Sequence, residues 1–374
     1  MAENQTCISE LTEHQELMIQ NISWIFECVF TLLLAPFGIL FNALAIYLLS
    51  TTKLFESFFN RLLSFMATFD MLYLIVSVSE AIRQYLIKSC SHDYIFVIMV
   101  YPLRSILMCC STYTTLALAL ERFVNVCKPL SRFSQRGGKP GKHWIRVVKY
   151  ILPIVIFSTV LYAPKFFELQ TVDCKEQCYV VQSDNNTNCT NQRISVTQLR
   201  RNESYVLWYV TVCKSLFDWA LPFVILAYLN IRIYLQLKQY LYRKHYRHKH
   251  QDEKQPSDIH QAIILFSIVI LFFICHLPRV TLNVQEFVRL IEVKYALNTS
   301  CNWIKTGSKY WIKIMLSFSH FLLKFNASVN FFIYVAFDQN FRNLLRSNIP
   351  ANLRLNNINS HKTEEIELKK PEHQ

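Results

Sequence analysis

Seven long apolar stretches, at about 24–50, 60–87, 95–122, 147–166, 205–235, 259–287 and 311–337, govern what this chain can become. Each reaches the roughly 20 mostly apolar residues that a helix needs to cross a bilayer. Hydrocarbon offers no water to backbone amides, so every such stretch must be helical. The chain is 52% hydrophobic and holds only 5 Gly in 374 residues, too apolar and too poor in turn formers for a soluble domain of this size. A large helical soluble protein is the rival reading, and runs such as IILFSIVILFFICHLP (263–278) disfavour it. The expected fold is an all-α membrane protein, a bundle of seven transmembrane helices.

Charge and glycosylation signals orient the bundle the same way. Residues 1–24 carry Glu3, Glu10, Glu13 and Glu16 but no Lys or Arg, whereas basic residues concentrate in 51–61, 123–146, 236–257 and 338–374. The positive-inside bias therefore places the N-terminus outside and the C-terminus in the cytoplasm. Asn4, Asn21, Asn185, Asn188, Asn202 and Asn298 all begin Asn-x-Ser/Thr, and all fall on the side assigned outside. Asn326 also matches but lies within the seventh stretch and reads as buried. No basic region precedes the first stretch, so the first span is expected to act as its own insertion signal. The plan is an extracellular glycosylated tail (1–23), a seven-span domain (24–337), an amphipathic helix on the inner face (338–346) and a polar, disordered cytoplasmic tail (347–374). The net charge of +13 then belongs mostly to the inner face, where it favours membrane lipids and an acidic cytosolic partner and does not indicate nucleic acid. Cys7, Cys90, Cys174, Cys178, Cys189 and Cys301 fall outside, where disulfides persist, but their connectivity is not readable from spacing.

Polar residues inside the spans are costly and usually functional or paired. The sharpest is the pair Glu121–Arg122 closing the apolar run in ALALERFVNVCKPL (117–130). Asn42, Asp70, Ser111, Asn230, Asn326 and Asn330 are the others that stand out. No phosphate-binding Gly loop or H-E-x-x-H occurs, and Gly is too scarce for a dinucleotide fold, so enzyme readings find no support.

Taken in order, these residues resemble the rhodopsin-like G-protein-coupled receptors over about residues 24–346. NALAIYLL (42–49) is similar to that family's first-span Asn motif, MATFD (66–70) to its second-span Asp motif, and ERF (121–123) to its Asp/Glu-Arg-Tyr. LPFVILAYLNIRIY (221–234) looks like the fifth span with its Pro. FFICHLP (272–278) matches Cys-Trp-x-Pro with His276 for Trp, and NFFIY (330–334) matches Asn-Pro-x-x-Tyr with Phe331 for Pro. The likeness is nearest to invertebrate receptors for FMRFamide-type neuropeptides, through LYAPKFFEL (161–169), LNVQEF (282–287) and NASVNFFIYVAF (326–337).

The resemblance implies a mechanism and partners. Arg122, with Glu121 beside it, would pair with Asp258 on the sixth span, and outward movement of that span would free the Arg for a heterotrimeric G protein; arrestin is a further expected partner. The bland alternative is an Arg that snorkels to the inner interface. Asn330 and Tyr334 would relay the change, and Phe331 in place of Pro should leave the seventh span less kinked. Asp70, Ser111, Asn326 and Asn330 match positions that hold a sodium ion, although Ala327 replaces a frequent Ser ligand; a water-filled cluster that merely satisfies Asp70 is the equal alternative. No other cofactor is implied.

For the ligand, Arg104 stands where amine receptors carry an Asp, which disfavours an amine. Lys324 stands where opsins carry their retinal-linked Lys, so a photoreceptor is a rival. Val100 at the usual counter-ion position and His276 for Trp count against it, and Glu80, Arg104 and Lys324 read instead as a charged network in the outer pocket. The long second outer loop, about 165–204, suits a peptide. An amidated Arg-Phe ligand would pair its cation with Glu80 or Glu286, with Tyr85, Tyr101, Phe217 and Trp219 as aromatic faces. The resemblance also implies a disulfide from Cys90 to Cys178, with Cys174 or Cys189 as substitutes, and a Cys7–Cys301 bond as an addition. A transporter remains the alternative outside receptors, and it would leave ERF unexplained.

Overall fold

The computed structural model describes residues 13–50, 58–87, 90–127, 140–171, 194–246, 256–296, 307–337 and 339–348. Seven of its helices are long and apolar enough to cross a membrane: α1 (Glu13–Ser50), α2 (Phe58–Leu86), α3 (His92–Cys127), α4 (Val147–Phe167), α5 (Glu203–Gln239), α6 (Ala262–Gln285) and α7 (Tyr310–Phe337). A short α8 (Gln339–Asn348) follows. Between α4 and α5, β1 (Leu169–Thr171) pairs antiparallel with β2 (Ile194–Val196), Leu169 opposite Val196.

The helix faces explain why these sequences pack as a bundle in lipid. On α1, Leu33, Phe37 and Leu40 are each about 60% exposed, while Ala35, Gly38, Asn42 and Ala45 are buried. Both stripes follow helical spacing, so one α1 face meets its neighbours and the other meets hydrocarbon. The inward stripe is small, which lets α1 approach α7 closely. A Cβ on Gly38 would stand 2.4 Å from Ser328 Oγ and 2.8 Å from Ser328 Cβ, so turning the hydroxyl away would not relieve the clash. Next to it Asn42 donates from Nδ2 to the carbonyls of Gly38 and Ala327, both at 2.8 Å, tying α1 to α7. Gly38→Ala is therefore expected to cost about 1–3 kcal/mol, read as a lowered Tm of the purified protein; an unchanged Tm would contradict this packing.

Two expected boundaries shift. Helix begins at Glu13, so residues 13–23, read above as tail, continue into the first span, and Ser23 Oγ meets Ser317 Oγ on α7 at 2.9 Å. The amphipathic helix runs to Asn348. It docks through Phe341, which is 1% exposed and edge-on to Tyr334 and Phe331. Arg342 donates to the carbonyls of Val335 (3.1 Å) and Ala336 (2.7 Å), satisfying the last turn of α7. With Phe331 for Pro, helix is continuous from Gly307 to Phe337.

All π-helical turns among the described residues lie toward the hairpin end: Trp24–Val29, Ile82–Leu86, Phe96–Val100, Val206–Cys213 and Leu216–Ala220. Such turns locally widen a helix and often accompany functional sites. The opposite end holds the largest apolar core, including Leu48, Leu62, Leu118, Leu226, Ile264 and Tyr334.

Candidate functional site

A cavity of about 250 Å³ opens beneath the hairpin. Helical spacing sets its walls: Tyr101, Arg104, Ser105 and Met108 on α3, Val210, Lys214 and Asp218 on α5, Arg279 and Asn283 on α6, and Leu316, His320, Leu323 and Lys324 on α7. In each case the residues recur one turn apart, so a single helix face looks inward. Arg200, in the short helix Gln198–Arg201, stands at its rim with Lys165 and Glu168.

Glu168 organises the roof. It is 1% exposed and directly follows the 3₁₀ turn Ala163–Phe167. Its carboxylate accepts from Tyr101 Oη (2.5 Å), Tyr205 Oη (2.8 Å) and Lys214 Nζ (3.4 Å), joining α3, α5 and the α4 end. Its backbone carbonyl accepts from the Thr197 amide at 3.0 Å, which holds the second hairpin strand in place. Burial alone would raise its pKa; the Lys214 charge and the two tyrosine hydroxyls outweigh burial and hold it below the usual carboxylate range. Beside it, Lys165 Nζ donates to Ser105 Oγ (2.6 Å) and lies 4.4 Å above the Tyr101 ring. Tyr162 Oη donates to Asp218 Oδ1 at 2.5 Å.

Of Glu80, Arg104 and Lys324, grouped from the sequence, the structure brings two into direct contact. Arg104 and Glu80 pair at 2.5 Å, and Arg104 and Lys324 both line the cavity. Lys324 Nζ, however, donates to Thr31 Oγ1 on α1 (2.7 Å), and the carboxylate in that region is Glu27, which holds His320 Nδ1 and Tyr85 Oη at 3.1 Å each. Tyr101 lines the cavity, whereas Tyr85, Phe217 and Trp219 do not. The side chains of Glu286 and Asp258 lie outside the described residues, as do those of Cys7, Cys90, Cys174, Cys178, Cys189 and Cys301 and the sequons at Asn4, Asn185, Asn188 and Asn298. Asn21 and Asn202 are exposed at the hairpin end.

Deeper in the bundle, Asp70 is 2% exposed and accepts from Ser111 Oγ (2.5 Å) and Asn330 Nδ2 (2.8 Å). Asn326 does not bond Asp70; its Oδ1 and that of Asn330 are buried without a hydrogen-bond partner among the described residues, as is the Tyr334 hydroxyl. Amide oxygens without a partner are hard donors of the kind that bind a cation or a water. At the α8 end Arg122 is 3% exposed, in ion contact with Glu121 at 2.6 Å without hydrogen-bond alignment, its guanidinium 4.1 Å above the Phe59 ring. Glu121 also accepts from Asn125. His276, where the resembling family has Trp, is buried against Phe272 with ring centroids 4.0 Å apart.

With this architecture in place, the decisive comparison is with the family described as 7 transmembrane receptor (rhodopsin family), whose model matches residues 41–334. The chain belongs to that family. It is a receptor and a multi-pass membrane protein, not an enzyme. Among curated relatives, an FMRFamide receptor of Drosophila melanogaster is 28% identical over 204 residues, covering 52% of this chain but only 34% of the relative. The match thus spans about a third of that relative's length.

Sequence reasoning overlooked Glu168, Asp218, Lys165, Lys214, Arg279 and the Glu27–His320 pair. The signal was present, because Lys214 and Asp218 are charges inside an apolar run, in VCKSLFDWALPF (212–223). What spacing could not show is that a loop residue, Glu168, folds back as their partner.

Proposed function

We propose that this receptor sits in the plasma membrane with its N-terminus outside and responds to an extracellular peptide, an amidated FMRFamide-like neuropeptide. The observation that carries this reading is the tyrosine- and charge-lined cavity under the hairpin, which offers directional contacts to a polar chain. The similarity to a protein named FMRFamide receptor supports the peptide class. Peptide binding shifts the population toward a state with α6 displaced, in which Arg122 leaves Glu121, and Asp258 across from it, and meets a heterotrimeric G protein, with arrestin following. The exposed Asn21 and Asn202 carry glycans in this orientation, and outer cysteines, Cys90 and Cys178 first, form a disulfide.

A sodium ion held by Asp70, Ser111, Asn326 and Asn330 would stabilise the resting arrangement of α2, α3 and α7 electrostatically. Raising NaCl is then expected to lower agonist affinity several-fold, roughly the size of common allosteric couplings, and Asp70→Asn to flatten that dependence. Equal salt dependence in parent and variant would remove the ion from the scheme.

The test of function is expression with a promiscuous G protein and a calcium reporter, challenged with Arg-Phe-amide peptides and their free-acid twins. Activation by the amides from a surface-expressed receptor supports the reading, and silence to all peptides overturns it. Burial of Lys324 at the cavity wall favours one second reading, a retinal-binding receptor. It calls for visible absorbance on adding retinal, lost in Lys324→Ala.

A further inference from the structure

The cavity carries far more positive than negative charge. Arg104, Lys165, Arg200, Lys214, Arg279 and Lys324 line it, against Glu168 and Asp218. Pairing leaves the excess unevenly placed. Arg104 is taken by Glu80 and Lys214 by Glu168, and Asp218 accepts from Tyr162. Lys165 is spread over Ser105 and the Tyr101 ring. Arg279, Arg200 and Lys324 have no carboxylate within ion-pair distance among the described residues.

Lys324 is the most exposing of these deficits. It is 5% exposed, its ammonium donates among the described residues to the neutral Thr31 hydroxyl, and it lines the same cavity as Arg279 from the neighbouring helix. A buried cation with no carboxylate in direct contact is costly, and an incoming anion that contacts it offsets part of that cost. Arg279 adds a fork that matches a planar carboxylate in two parallel bonds. Asn283, one turn from Arg279, adds a polar contact, and Met108, Leu316 and Leu323 supply an apolar wall for the methylenes of a side chain. Glu168 and Asp218 line the same cavity, so the anion is drawn to the corner of Arg279 and Lys324 and away from these two carboxylates.

We infer that Arg279 and Lys324, with Arg200 at the rim, form a seat for a carboxylate that the ligand must bring. This rests on the cavity being the ligand site of a peptide receptor. An amidated peptide has no terminal carboxylate, so the group comes from an Asp or Glu side chain, and among amidated peptides the seat favours those that carry one.

The test uses the purified full-length receptor and thermal unfolding with three probes at millimolar concentration: N-acetyl-Glu-Phe-amide, N-acetyl-Gln-Phe-amide and N-acetyl-Gln-Phe free acid. The Glu probe is expected to raise Tm by about 2 °C or more, with the Gln-amide twin giving no rise. Arg279→Gln and Lys324→Gln should each erase the difference between the twins. Lys324→Gln keeps a polar group beside Thr31 while removing the charge, and its own Tm without probe is the folding control. A rise with the free acid alone would overturn the side-chain source and assign the seat to a C-terminal carboxylate. Equal shifts from all three probes, no shift from any, or a difference that survives Arg279→Gln would overturn the seat itself. The signalling panel is read separately. A receptor that discriminates the twins but answers no peptide overturns the peptide reading alone, and a peptide-activated receptor with equal twins overturns this seat alone.

Discussion

Glu168→Gln is expected to destabilise the receptor by about 3–5 kcal/mol, the range seen when one member of a buried ion pair is removed. The variant should reach the cell surface poorly and unfold at a markedly lower Tm. Three donors converge on the carboxylate from Tyr101, Tyr205 and Lys214. A carboxamide offers one acceptor oxygen and points an NH₂ at groups that are themselves donors, leaving Lys214 without the carboxylate it pairs with. The pH dependence has a definite sign. The carboxyl is held below its ordinary value of 4.5, so its contribution is complete above that pH and is lost as pH falls through the lower folded value. The Tm gap between parent and variant should be constant from about pH 5 to 8 and should narrow in stronger acid. A gap that vanishes already near neutrality would show that Glu168 does not anchor the roof.

Arg122→Met is expected to lower peptide-stimulated G-protein turnover roughly tenfold or more, an energy comparable to that separating two receptor states. Peptide affinity should stay within a few-fold of the parent. Methionine keeps an apolar stem over Phe59, where the guanidinium now lies at 4.1 Å, so packing at this end is largely retained while the charge is lost. The buried Arg requires an anionic or polar partner in either state. Glu121 fills that role here at 2.6 Å, and the proposed partner in the active state is the G protein. Full turnover by Arg122→Met at equal surface level would reduce Arg122 to a structural residue.

The hydrophobic pattern was enough to read the seven spans and the short helix after them, because in lipid an apolar run of sufficient length has one viable backbone conformation. Asp70 was legible on the same grounds, since a lone carboxylate in an apolar run must find donors, and it finds Ser111 and Asn330. Asn326, grouped with them from the sequence, makes no hydrogen bond to Asp70 among the described residues. Arg122 was legible as an anomaly, whereas its contact with Phe59 was not.

The cavity marks the boundary between the two kinds of knowledge. Composition and periodicity established that charges lie inside spans and that they must be compensated, because the cost of an isolated buried charge is a property of the residue and its solvent. Which charges compensate each other depends on where helices distant in sequence meet. Only the packed bundle placed Glu168 on Lys214, and left Arg279 and Lys324 lining one open space together.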